Sequence, residues 1–357
     1  MNPNDIKITI YRANQIRDWL TKRSETEGLS SAIISPTRAF AIINNPYVKD
    51  NDPIVAALFL TEKEGKNTPV AYTAAFPDMI NEERKWWFST LWCNPEHQGK
   101  GYALAVVGSL AEEYGEGNYY DSIGAAETVE IFRFLKLNTI YINEYRFGSK
   151  VSRHGWKGEI NHIRQKALSN IRALNPRAKK AIRQTSYRLQ YTHNIDSNTY
   201  DFMIQHSGDN YMTRTLPMLN WILSYPFKQN TPLDKKVKQS SAFTDTDTRY
   251  WLSAVKVIVE DQLVGVYILR DSDTDLSVKY LYYNTAYRDT VFASIVEHIL
   301  KMRNPCFSTR HTALARYIDT LKLFAKKKTL HVSFSCPEPL PSNATITLQA
   351  GDGDGFV

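Results

Sequence analysis

Residues 94–103 read Asn-Pro-Glu-His-Gln-Gly-Lys-Gly-Tyr-Ala, between the apolar run WWFSTLWC and the helically spaced run LAVVGSLAEEYG. This strand, glycine-punctuated turn and helix start limit the fold more than any other stretch of the chain. The first N–H groups of a helix have no acceptor inside it and point outward. The helix dipole favours negative charge there by about 0.3–1 kcal/mol. Glycines let the backbone come close to a phosphate. The stretch Gln98-Gly99-Lys100-Gly101-Tyr102-Ala103 therefore reads as an anion site. It is not the phosphate loop of nucleoside triphosphatases, which ends in Gly-Lys followed by Ser or Thr. Nor is it a dinucleotide fingerprint, because GxGxxG is missing and the preceding strands read as hairpins.

The surrounding pattern extends the reading. IKITIYR alternates as a strand, and ANQIRDWLTKR has helical spacing. PIVAALFLTE, TPVAYTAAF and KWWFSTLWC are three further strands, the first two joined by the short loop EKEGKN and so antiparallel. GYALAVVGSLAEEYG is a helix that stops near Gly115 and Gly117. NYYDSIGA as strand, ETVEIFRFLKLN as helix and IYINEYRFG as strand complete the order β-α-β-β-β-α-β-α-β over residues 1–150. Residues 151–190 read as a basic helical connector with breaks at Gly155, Gly158 and Pro176. Over residues 191–357, helices around YDFMIQHSG and RTLPMLNWIL precede the strands YWLSAVKVIVED, LVGVYILRD and LSVKYLYYN. DTVFASIVEHILKMR and HTALARYIDTLKLF are helices, and TLHVSFSC is a strand. The β-β-β-α series thus recurs, which implies two related α/β domains, each a mostly antiparallel mixed sheet flanked by helices. The turn-rich tail ATITLQAGDGDGFV is expected to be loose.

Of the 357 residues, 43% are hydrophobic and 23% charged, which is a globular composition. No apolar stretch approaches the roughly 18 residues that span a bilayer, so no membrane partner is expected. The N-terminus has no apolar signal core. Cys93, Cys306 and Cys336 are sparse and odd in number, which suggests reduced thiols and a cytoplasmic location. Their spacing fits no zinc site, and no metal is expected. The net charge of +7 is concentrated. Residues 150–190 hold eleven Lys or Arg against one acid, Glu159, and the rest of the chain is slightly acidic. A solvated helical linker is the expected role. Nucleic-acid binding is not expected; it would show as affinity falling steeply with salt.

The pattern Gln98, Gly101 and Ala103, with Pro95 ahead of the turn, resembles motif A of the GCN5-related N-acetyltransferases (GNAT), Gln/Arg-x-x-Gly-x-Gly/Ala. The element order over residues 1–150 is similar to that family too. The resemblance implies that the backbone amides of Gln98, Gly99, Lys100, Gly101, Tyr102 and Ala103 hold the pyrophosphate of acyl-coenzyme A. It implies that the strand carrying Leu91, Trp92 and Cys93 splays from its neighbour and pairs with the pantetheine arm and thioester carbonyl. The implied activity is transfer of an acetyl group from acetyl-coenzyme A to an amine by direct attack on the thioester. Cys93 would then be a small apolar residue rather than a nucleophile.

The proton carriers are less well marked. Many GNAT enzymes protonate the departing thiolate with a tyrosine, and matching FRFLKLN to the family's Tyr-x-x-x-Gly-Phe puts Phe132 at that place and Lys136-Leu137 at Gly-Phe. Tyr141, Tyr145 or solvent are the substitutes. Asp78, in AAFPDM, is the candidate base at the acceptor cleft. Glu82 and Glu83 read as a solvated turn, His97 as exposed. Alternation places Trp86, Phe88 and Thr90 on one strand face and Trp87, Ser89 and Leu91 on the other. In the second half the matching turn, YYNTAYRDTVFAS, has no glycine, with Tyr287, Arg288 and Asp289 where backbone would meet phosphate. That half reads as a degenerate copy without a cofactor site, which makes a monomer plausible. Two other readings stay open: a Fem-like transferase taking aminoacyl groups from tRNA, and a non-catalytic acyl-coenzyme A-binding protein.

Overall fold

The computed structural model describes residues 6–22, 28–61, 67–122, 126–149, 155–208, 210–230, 246–247, 249–339 and 347–353. Strand β1 (Ile6–Arg12) leads into α1 (Ala13–Lys22) and α2 (Pro36–Ile43). The sequence pattern did not single out α2. Its start is nevertheless encoded, because Pro36 sits at the first turn and the Ser35 hydroxyl accepts the Arg38 N–H. Next come β2 (Pro53–Thr61), β3 (Asn67–Ile80) and β4 (Glu83–Cys93), and each pair of successive strands from β1 to β4 is antiparallel. A short 3-10 turn at Pro95–His97 opens onto α3 (Tyr102–Tyr114), then β5 (Tyr119–Ser122), α4 (Ala126–Phe134) and β6 (Asn138–Gly148).

The connector forms two helices, α5 (Gly155–Ala173) and α6 (Pro176–Arg183). Gly158 lies inside α5 and breaks nothing, since one helical glycine costs only about 1 kcal/mol. Asn175 caps α6 by accepting the Ala178 N–H at 3.0 Å, and Pro176 takes the first turn. The end of the connector is not helical: β7 (Arg188–Thr192) pairs with a later strand that supplies its hydrogen bonds. Helices α7 (Ser197–Gln205) and α8 (Leu216–Ser224) follow, then the two-residue strands β8 (Gln229–Asn230) and β9 (Thr246–Asp247). The meander β10 (Tyr250–Val259), β11 (Gln262–Ser272) and β12 (Leu276–Tyr283) runs into α9 (Arg288–Met302). The chain closes with β13 (Cys306–Thr309), α10 (Thr312–Thr320) and β14 (Lys327–Cys336).

The two halves share one mixed sheet of 12 strands, ordered β1-β2-β3-β4-β5-β14-β6-β13-β12-β11-β10-β7. At its centre the halves exchange strands. β14 enters between β5 and β6, and β6 pairs with β14 on one side and β13 on the other. The repeat extends to local detail. Asn94 after β4 and Asn284 after β12 each accept an N–H two residues on, at 3.0 Å, and each starts a 3-10 turn. β4 meets β5 over two parallel residue pairs, and β12 meets β13 over two.

The halves differ at the edge this leaves open. Beyond Ser277 the C-terminal segment lies along β12: the Gly351 N–H donates to Lys279 O at 2.9 Å, and Gln349 Nε2 donates to Leu281 O at 3.2 Å. Gln349, Ala350 and Asp352 are buried, so this part of the tail is packed and not loose. Two apolar clusters flank the sheet. One joins the first half to α8, where Trp221 packs on Phe76 at 5.5 Å and donates to Ala41 O at 2.7 Å. The other lies among β10–β13, α9 and α10.

Candidate functional site

The site begins with an irregularity in β4. Ser89 opposes Ala74, but Trp92 opposes Tyr72, so β4 holds one residue more than β3 in that interval. The extra residue is a bulge, and Thr90 adopts the left-handed φ of 51°. A bulge resets the alternation of a strand. Trp86 and Phe88 face α3 and α4, with Trp86 stacked on Tyr114 at 4.1 Å and Phe88 against Phe132 at 5.2 Å. Leu91 would fall on the opposite face in a regular strand. Instead Leu91 and Cys93 line the same cavity as Tyr102 and Leu104 of α3 and Ile131 of α4.

Beside this stretch, among the described residues, β4 has an open edge. Its pairing with β5 covers Trp86 and Trp87, after which β5 turns to β14 at Asp121 and Ser122. The Asn94 N–H reaches back to Val70 O on β3 at 2.8 Å. By alternation, the amides and carbonyls of Leu91 and Cys93 point away from β3, into the gap.

The turn completes the cavity. Gly99 and Gly101 have φ of 78° and 79°, a region that favours glycine, and a Cβ on either would meet nothing within 4 Å. Gly101 is the N-cap of α3 and gives no side-chain cap, and the first turn contains no acid. The first intrahelical bond runs from the Ala105 N–H to Gly101 O at 2.9 Å. The N–H groups of Tyr102, Ala103 and Leu104 therefore have no acceptor within the helix. The cavity is about 700 Å³ and is lined by Leu91, Cys93, His97, Gln98, Gly99, Gly101, Tyr102, Ala103 and Leu104, with Thr128, Glu130 and Ile131 from α4. It is an apolar slot with a ring of outward amides and open backbone at one end, which suits a long ligand with an anionic head.

Most of the residues expected at a cofactor lie here. Two point elsewhere: Lys100 reaches the His97 ring, Nζ to Nδ1 3.1 Å, and Trp92 stacks on Tyr72 at 5.0 Å. Partial burial pushes the Cys93 thiol pKa up, opposed by the Lys100 charge. The α4 residues Thr128, Glu130 and Ile131 were not singled out from sequence, although their helical spacing was visible. Arg38 and Ser89 were also missed. Arg38 donates to the Ser89 hydroxyl at 3.1 Å, one residue before the bulge.

The residues expected to carry protons are placed differently. Asp78 and Arg214 are each 2% exposed and form an ion pair at 2.8 Å. Trp87 Nε1 and the Met79 N–H also donate to Asp78, at 3.1 and 2.9 Å. Burial raises the Asp78 pKa, and Arg214 opposes the rise. Arg214 also donates to Gly353 O at 2.7 Å and lies 3.9 Å from Asp352. Asp78 thus sits in a buried joint between the halves, not at an open cleft. Tyr141 and Tyr145 lie on β6, which is separated from β4 by β5 and β14. At about 4.8 Å per strand that is roughly 14 Å. Tyr141 is exposed, and the Tyr145 hydroxyl bonds Thr312 at 3.2 Å. Neither lines the cavity. Phe132 is fully buried against Phe88.

Among the described residues no group of three or more His, Cys, Asp or Glu is arranged to hold a metal. No helix there is long and apolar enough to cross a membrane.

No known family profile matches the sequence, and no curated protein matches it. Solved structures do resemble its fold. Saccharomyces cerevisiae N-myristoyltransferase with bound myristoyl-CoA aligns over 94% of this chain and 83% of its own, at 8% identity and a TM-score of 0.52. A Pyrococcus horikoshii protein described as a candidate acetyltransferase aligns over 95% and 92%, at 8% identity and a TM-score of 0.50. A GCN5-related N-acetyltransferase from Kribbella flavida aligns over 92% and 70%, at 13% identity and a TM-score of 0.46. At such identities the likeness bears on fold alone. The chain has the GNAT fold, with one mixed sheet running through both halves.

Proposed function

We propose that the protein is an acyltransferase that takes an acyl group from acyl-coenzyme A and passes it to an amine. The observation that carries this reading is the uncapped start of α3 beside the open edge of β4, the two facing one cavity. The pyrophosphate takes the amides of residues 98–104, where three or more N–H groups and the helix dipole converge. The pantetheine arm runs along Leu91 and Cys93 and uses the backbone groups that β5 leaves unpaired. The thioester carbonyl then lies next to the Thr90 bulge, where backbone N–H groups stabilise the charge that develops on its oxygen. The amine nitrogen attacks the thioester carbon, the C–S bond breaks, and coenzyme A leaves as thiolate. Holding amine and thioester together supplies much of the rate. Acetyl is the donor expected from the resemblance. N-Myristoyltransferase is a fold neighbour with a bound long-chain acyl-CoA, so chain length is part of the test. No side chain is assigned to either proton: the amine nitrogen gives one up to water at the cavity mouth as the amide forms, and water there returns one to the thiolate.

The test is turnover on a panel of amines with acetyl- and myristoyl-coenzyme A, beside the Gly101→Glu variant. Gly101 has open space around its missing Cβ, so the substitution costs only the left-handed backbone, about 1–2 kcal/mol. A carboxylate some 5 Å from the pyrophosphate adds a repulsion of about 3 kcal/mol at an effective dielectric of 20. Binding is expected to weaken by more than about a hundredfold. Turnover that survives this change places the donor elsewhere. Phe132, buried where many relatives of this fold carry a phenol, favours one other reading, a non-catalytic acyl-coenzyme A-binding protein. Saturable binding without turnover on any amine would select it.

A further inference from the structure

The basic connector takes no part in the proposed reaction, and its first helix is packed the wrong way round for a globular protein. On α5, Ile160, Ile163, Ala167 and Ile171 recur at intervals of three and four, which places them on one stripe of the helix, and Leu174 follows just past its end. All five are exposed, Ile163 at 68%, Ile171 at 66% and Leu174 at 68%. The polar side is the one that docks. Ser169 and Arg172 are buried; Arg172 donates to Asn304 O at 2.6 Å, just past the end of α9, and lies over the Phe324 ring at 3.9 Å. An apolar stripe about 17 Å long on the helix therefore faces outward. At its C-terminal end, Leu168, Ile171 and Leu174 share an open groove of about 780 Å³ with Leu323, Phe324 and Lys322.

Charge selects what can cover this stripe. Residues 155–183 carry eight Lys or Arg and one acid, Glu159. Arg164 is exposed beside the stripe, Arg177, Lys180 and Arg183 are exposed on α6, and Lys322, Lys326 and Lys328 are exposed nearby in the chain. A second copy would set two such basic helices against each other. A nucleic acid would pair with the cations and leave the stripe in water. An anionic bilayer satisfies both halves of the pattern, with the stripe at the acyl boundary and the cations among the headgroups. We infer that α5 and the cations around it form a docking surface for an anionic lipid bilayer, with the helix lying in the interface plane. The sequence suggested no membrane partner because no segment is long enough to span. That bears on crossing the bilayer, not on lying upon it.

The experiment is co-sedimentation of the full-length protein with vesicles of phosphatidylcholine alone and of equal parts phosphatidylcholine and phosphatidylglycerol. Binding to the mixed vesicles only, weakened by salt, is the expected result. Ile163→Glu with Ile171→Glu should abolish it without lowering the thermal midpoint, because both side chains are already in water. Arg164→Gln with Lys180→Gln should weaken it roughly twentyfold, about fivefold for each cation neutralised. Equal binding to both vesicle types, no binding to either, or unchanged binding by the glutamate variant would overturn the inference. So would a dimer in sedimentation equilibrium that the glutamate variant dissolves, or RNA binding in the absence of vesicle binding.

Discussion

Removing the Asp78 carboxylate should reveal what the buried joint contributes. Asp78→Ala leaves the Arg214 guanidinium, 2% exposed, without its 2.8 Å partner. Stranding a buried charge costs about 3–5 kcal/mol. Asp352 at 3.9 Å and Gly353 O at 2.7 Å still face Arg214, so the low end applies, about 3 kcal/mol. Trp87 Nε1 also loses its acceptor in a buried place, which adds about 1 kcal/mol or more. The expected total is about 4 kcal/mol, read from urea unfolding followed by tryptophan fluorescence. Near pH 5, where Asp352, pushed up to about 6, is largely protonated and so is not stranded as a charge, the pair Asp78→Leu with Arg214→Met removes the remaining charges together and should return to within about 1–2 kcal/mol of the parent, because apolar replacement of a buried ion pair is commonly near neutral. Asp78→Asn keeps an acceptor for Trp87 and should leave acyl-coenzyme A affinity unchanged. A loss below about 1 kcal/mol for Asp78→Ala, with the double variant costing the plain sum of the singles, would refute the account of a coupled joint. A stable Asp78→Asn protein that binds the donor yet loses turnover and one limb of its pH profile would return Asp78 to the role of base.

Two further outcomes follow from burial. Cys306 and Cys336 are buried, and burial with the Glu338 charge pushes the Cys336 thiol up to about 12, whereas Cys93 is partly open at the cavity. A thiol reagent should therefore label Cys93 alone in the native protein, and saturating acyl-coenzyme A should slow that labelling; labelling unaffected by ligand would count against the site. Burial pushes Asp352 from 3.8 up to about 6, against the pull of Arg214. The folded state then holds this proton more tightly than the unfolded chain, so stability falls as pH rises from about 4 to about 6. Asp352→Asn should match the parent near pH 4 and exceed it at pH 7 by up to about 3 kcal/mol. A variant whose urea midpoint tracks the parent across that range would show that Asp352 is not the group responsible.

The parts of the fold that were legible in the sequence are those fixed by local chemistry. Glycines 99 and 101 required a left-handed turn, and the alternation of KWWFSTLWC followed by helical spacing required strand and helix on either side of it. The same holds for the meander of β10, β11 and β12. What stayed hidden depends on partners far along the chain. Tyr141 and Tyr145 looked adjacent to the site because β6 follows β5 in sequence, but β14, almost two hundred residues later, separates the two strands. Asp78 looked like the end of a strand near a turn, and nothing local announced Arg214 or the buried tail behind it. The Thr90 bulge has no composition signal, yet it decides which side of β4 Leu91 presents. Exposure, too, is a tertiary property: the stripe on α5 is ordinary helical spacing until its outward face is seen.

The most direct test of the central claim is a calorimetric titration of the purified protein with acetyl-coenzyme A, with 3′-dephospho-coenzyme A and the Gly101→Glu variant alongside. One saturable site, lost in the variant, is the predicted result, and affinity retained by the dephospho ligand would place the binding energy on the pyrophosphate and pantetheine as described. No heat at millimolar ligand, or equal binding by Gly101→Glu, would contradict the assignment of the turn, the open edge of β4 and the cavity between them as the donor site.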